Sequence, residues 1–144
     1  MNSELEKKLL LLRAKKYAAV VDGIRDMTIS FLERDECIWH REKLAQINSY
    51  HGLPKLKSYT LPVNESDLIS DISSLLITNK INDCFVFFEN NVKIKFHVID
   101  YFLFIKSFLS INKTFDLSLA FFQPDGVLVV SDDEYELKTF FIIK

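Results

Sequence analysis

Six carboxylates, Asp116, Asp125, Asp132, Asp133, Glu134 and Glu136, fall in a stretch that holds no Lys or Arg between its ends. Carboxylates accept charge-assisted, bidentate hydrogen bonds from arginine. A set of them at loop ends therefore suits a cationic surface, such as the cleft with which a nuclease holds a phosphate backbone. Tyr135, set among these acids, supplies a large contact area with a polar tip, which is what an interface anchor needs. Asp132-Asp133-Glu134 lacks the alternating oxygen ligands and the glycine of a calcium loop, so no metal is expected there. The plain alternative is a set of solvated turns and one outward strand face.

Two other pairs have the residue types for catalysis. Cys37 and His40 stand three apart and would share a helix face as nucleophile and base. No orienting group or oxyanion site accompanies them, so the expected reading is a core thiol beside a surface histidine next to Trp39. His97 near Asp100 is an acid/base pair by type, and a satisfied helix-start contact by its position. The chain has no glycine-rich phosphate loop, no His-Glu-x-x-His and no Gly-x-Ser-x-Gly. With three glycines in all, a backbone cradle for phosphate is not expected. Neither catalytic residues nor a cofactor are assigned.

Charge points the same way. Net charge is −2, against the clustered Lys and Arg that phosphate neutralisation requires, so no nucleic-acid partner is expected. Residues 1–60 carry eleven Lys/Arg and eight Asp/Glu, while residues 61–144 carry seven and twelve. The C-terminal half is thus acidic enough to steer a basic partner. Cys37 and Cys84 belong to no disulfide or zinc spacing and read as two reduced thiols. The apolar run Leu9 to Leu12 is too short for a signal peptide core, and no window approaches the roughly 18 apolar residues of a span. A cytoplasmic protein with no membrane partner is the expectation.

The elements that would position these residues follow from period. At 144 residues the chain has the length of one domain, and thirteen Phe against three Gly and three Pro call for regular elements rather than long loops. Leu5, Leu9 and Leu12, then Val20, Ile24, Met27 and Phe31, recur at three and four, predicting one helix from Ser3 to Arg34, weakened at Gly23. A second helix is expected from Cys37 to Tyr50, ended by Gly52. An irregular, extended connection runs from Leu53 to Val63, where Pro54 and Pro62 discourage helix. A third helix starts at Asn64 or Ser66, with Leu68, Ile69, Ile72, Leu75 and Leu76 as its buried stripe. Cys84 to Glu89 is a short apolar run of the kind covered on both faces. It turns at Asn90-Asn91 into Val92 to Phe96. A buried helix over Ile99 to Ile111 precedes a hairpin, Phe115 to Phe122 and Val127 to Val130, joined at Gln123 to Gly126. A final strand spans Tyr135 to Ile143. The expected fold is α+β: a mostly antiparallel sheet of about five strands with N-terminal helices packed against it, in one domain over 1–144, mainly helical over 1–78 and a sheet with one helix over 79–144.

The segments Asp83-Cys84-Phe85-Val86-Phe87-Phe88-Glu89, Ile99-Asp100-Tyr101-Phe102, Phe115-Asp116-Leu117-Ser118-Leu119 and Ser131-Asp132-Asp133-Glu134-Tyr135-Glu136 share a layout. Apolar strands and a short helix lead to an aspartate-bearing strand and an acidic turn with tyrosine. Over about sixty residues this resembles the C-terminal part of small bacterial immunity proteins of contact-dependent growth inhibition and related polymorphic-toxin systems. The resemblance implies a stoichiometric inhibitor kept in the cytoplasm, a monomer or weak dimer, which binds the toxic C-terminal domain of a cognate effector. Many such toxins are nucleases, and the acids would then stand in for phosphates. The implied toxin-binding residues are Asp116, Asp125, Asp132, Asp133, Glu134, Tyr135 and Glu136. Two other readings stay open: a small cytoplasmic enzyme using Cys37/His40 or His97/Asp100, and an adaptor dimerising through the Leu5 to Phe31 helix.

Overall fold

A computed structural model describes residues 4–49, 54–112, 116–133 and 136–144. Among them are four helices and seven strands, in an α+β arrangement. In chain order these are α1 (Glu4–Ala19), β1 (Ile24–Phe31), α2 (Ile38–Asn48), β2 (Lys57–Thr60), α3 (Glu65–Thr78), β3 (Asp83–Phe88), β4 (Val92–Val98), α4 (Tyr101–Asn112), β5 (Leu117–Phe121), β6 (Gly126–Asp133) and β7 (Glu136–Ile143). The strands form one sheet in the order β1-β4-β3-β5-β6-β7-β2, with every pairing antiparallel.

The two edge strands correct the sequence reading, which expected about five. Residues 24–31 do not continue α1 as helix. Gly23, at φ 73°, turns the chain instead, and its carbonyl accepts the N–H groups of Ile99 and Asp100. A Cβ at Gly23 would lie 2.5 Å from the Asp100 carbonyl oxygen, so the close approach needs glycine. β1 then pairs with β4 and carries a bulge between Arg25 and Thr28. β2 lies inside the expected connection and pairs with β7. The expected helix start Ser3 and helix stop Gly52 fall outside the described residues.

Alternation along the strands gives the sheet two apolar faces. One carries Cys84, Val86, Ile94, Phe96, Leu119, Phe121 and Leu128 beneath α1, α3 and α4. The other carries Phe85, Ala120, Val127, Val129 and Phe140 beneath α2, which contributes Leu44 and Ile47. β3 and β5 are thus buried from both sides, which is why residues 84–88 read as a continuous apolar run. Each fully buried Leu, Ile or Phe contributes about 1.5–3 kcal/mol relative to exposure. Asn64 caps α3, its side chain accepting the Asp67 N–H at 3.1 Å. The β3–β4 loop has three residues, Glu89, Asn90 and Asn91, because Phe88 pairs with Val92. Glu89 and Asn90 take positive φ.

Candidate functional site

The β5–β6–β7 meander decides where the acids go. β5 starts, β6 ends and β7 starts at one end of the sheet, so residues 116, 132, 133 and 136 gather there. The Asp116 carboxylate accepts the backbone N–H of Asp132 at 2.8 Å, and both residues are exposed. This bond fixes the entry to β5 against the exit of β6 and leaves the Asp132 carboxylate facing water. Asp133 pairs with Glu136 to close the β6–β7 hairpin. Glu134 and Tyr135 fall outside the described residues. The Glu136 carboxylate is held by its own chain, 3.9 Å from the Lys55 ammonium and 3.7 Å from that of Lys138.

Asp125 does not join this group. It sits in the β5–β6 turn, at the other end of the hairpin, roughly 23 Å from Asp132 at about 3.3 Å per strand residue. Its carboxylate lies 3.9 Å from the His40 ring instead.

The structure also revises the reading of the two catalytic-looking pairs. His40 is buried, not a surface residue: its Nε2–H donates to the Phe121 carbonyl at 2.9 Å, and its ring meets Phe85 edge-on at 5.0 Å. Its work is to bolt α2 to β5. Burial pushes its pKa down, and burial likewise pushes the Cys37 thiol up, with Lys93 opposing it. A thiol shifted upward is a poorer nucleophile at neutral pH, the reverse of an activated one. His97 does not pair with Asp100. Its Nδ1 lies 3.1 Å from Asp83, directly opposite on β3, while Asp100 caps α4 by accepting the Leu103 N–H at 3.0 Å. The expected turn at Asn90-Asn91 would pair Glu89 with Val92 and set Cys84 opposite His97; the three-residue loop shifts the register by one and brings Asp83 there instead.

Sequence reasoning missed a cleft of about 470 Å³ between α3 and the edge strand β2. Leu56, Ile72, Leu75 and Leu128 supply apolar walls. On its rim Asp71 accepts from the Lys57 ammonium at 3.0 Å and from the Tyr59 hydroxyl at 2.8 Å. These bonds hold the Asp71 carboxyl below its ordinary range, while burial and the nearby Asp71 push the Tyr59 phenol up. Leu128 and Thr139 in the cleft belong to the strands that lead to Asp132 and Glu136, so recess and acidic end share one half of the molecule. Among the described residues no group of three His, Cys, Asp or Glu side chains is placed to hold a metal ion.

No family model matches the chain, and no curated protein or solved structure is similar enough to it to count as a match.

Proposed function

We propose that the chain is an immunity-type binding module, which neutralises the toxic domain of a cognate bacterial toxin, a nuclease in the simplest case, by seating carboxylates in its cationic cleft. The observation that carries this reading is the anchored pair at the end of the sheet. Asp116 and Asp132 are exposed, and the hydrogen bond from the Asp132 backbone N–H to the Asp116 carboxylate orders that carboxylate against the Asp132 main chain. Preorganised acceptors lose little freedom on binding, so more of the contact energy appears as affinity. The α3–β2 cleft in the same half of the molecule would receive an apolar side chain of the toxin, and a recess with a charged rim is how binding energy concentrates in few residues.

The test is isothermal titration against the toxin domain encoded immediately upstream, at low and at raised salt. One-to-one nanomolar binding that weakens with salt is the expected result, because steering between opposite charges is screened. The Asp116→Lys/Asp132→Lys variant should lose affinity by on the order of a hundredfold or more. An unchanged affinity in that variant removes the sheet end as the contact, and absence of binding by the unmodified chain overturns the reading.

A further inference from the structure

The α1 helix is built inside out. A helix lying on a sheet ordinarily buries its larger apolar side chains. Here Leu10, Ala14 and Ala18 face the sheet at 7%, 0% and 3% exposure, whereas Leu5, Leu9 and Leu12 stand outward at 65%, 45% and 53%. Positions i, i+4 and i+7 fall on one side of a helix, so the three leucines form a single stripe. The small buried residues leave room for the Tyr17 ring against Phe88 and Phe108, at 5.3 Å and 6.2 Å. That second contact sets α4 beside α1 in the same layer, where Phe102 and Leu103 are each 46% exposed. The outer face of α1 therefore carries a continuous leucine stripe, beyond the scattered single residues that need no explanation.

Charge identifies the occupant. α1 carries five Lys/Arg against two Glu, a local +3 in a chain of net −2. Arg13 is held by Glu89 through two 3.0 Å bonds, but Lys8, Lys15 and Lys16 are exposed and border the leucine stripe. We infer that the outer face of α1 docks on an anionic lipid surface, lying in the interface plane. The leucines would enter the boundary between headgroups and acyl chains, and the lysine stems would lie along it with their ammonium groups among the phosphates. A second copy of the chain fits less well. Stripe against stripe would set +3 against +3, and a helix roughly 24 Å long falls short of the ~800 Å² per partner of a stable interface. This association is peripheral, since no helix among the described residues is long and apolar enough to cross a membrane. It departs from the expectation of no membrane partner, which rested on the absence of a span.

The experiment is co-sedimentation of the full chain with vesicles of phosphatidylcholine alone and of phosphatidylcholine mixed with phosphatidylglycerol. Binding to the mixed vesicles, absent from the neutral ones and released by salt, is expected. Lys8→Glu/Lys15→Glu/Lys16→Glu should lower partition by on the order of a hundredfold at low salt. Leu9→Ser/Leu12→Ser should also abolish it while the thermal transition persists, because both side chains are exposed. Absence of binding to the mixed vesicles overturns the inference. So does binding that survives both variants, or a concentration-dependent dimer that the leucine variant dissolves, which would assign the stripe to a second copy. Because no toxin is present in this assay, its outcome is independent of the proposed immunity role.

Discussion

Asp116 and Asp132 are joined by a 2.8 Å hydrogen bond from the backbone N–H of one to the carboxylate of the other, sixteen residues apart in sequence. Asp116→Ala removes the acceptor, whereas Asp116→Asn keeps one. The alanine variant should lose under about 1 kcal/mol, because the bond is open to water, and the asparagine variant should recover most of it. Urea unfolding of the three chains checks this. A loss in Asn equal to that in Ala would show that the carboxylate's charge, and not its acceptor, is what matters.

The second prediction concerns the cleft rim. Tyr59→Phe deletes the hydroxyl that donates to Asp71 at 2.8 Å and leaves the ring in place. Since the pair is partly exposed, the cost should be about 1 kcal/mol or less. The larger effect is local: β2 has only four residues, and its amides should exchange faster in the variant. Unchanged exchange over Lys57–Thr60 would mean that pairing with β7 alone retains the strand.

His40 gives a pH signature. Burial lowers its pKa from the ordinary 6.5, so the unfolded chain takes up a proton at higher pH than the folded one does. Its contribution is intact above about pH 6.5 and is lost as pH falls from there through the folded pKa, below which both states are protonated. Replacing it with Gln, which can still donate to the Phe121 carbonyl, should reduce the fall in urea midpoint across that window. Equal falls in the two chains would exclude His40 as its source.

Gly23 is a further stability site. Gly23→Ala places a methyl 2.5 Å from the Asp100 carbonyl oxygen and 3.0 Å from the Phe104 nitrogen, at a positive φ. The backbone must shift at the start of α4, at a cost of about 2 kcal/mol or more. A thermal melt within a degree or so of the unmodified chain would contradict that, since a change this size moves the midpoint by several degrees.

The elements between Asn64 and Ile143 were legible because each announces itself locally. α3 has its asparagine cap and apolar stripe, β3 a doubly buried run, and the last three strands alternation with turn residues between. β1 was not legible. Its bulge between Arg25 and Thr28 adds one residue, which breaks the period of two and leaves Ile24, Met27 and Phe31 at helical spacing. β2 is short, lies between two prolines and pairs some eighty residues away, so nothing local marks it as a strand. The side of α1 that meets the sheet was not legible, because Leu9 to Leu12 are all leucine and present an apolar residue on every face. As for the candidate site, Asp116 and Asp132 converge as their positions at strand ends predict. Asp125 lies apart because a hairpin carries its turn one strand length from its open end.

The two edge strands also set an order of assembly. β1 pairs with β4, and β2 with β7, so both edges close through contacts far apart in sequence. A chain emerging from the ribosome would expose Ile24–Phe31 until β4 had been made, and Lys57–Thr60 until β7 had emerged. Long-range antiparallel closure slows folding, and unpaired strand edges are where nascent chains stick to one another. Ser118–Val130 can zip locally in that interval, whereas β1 must wait for β4 and β2 for β7.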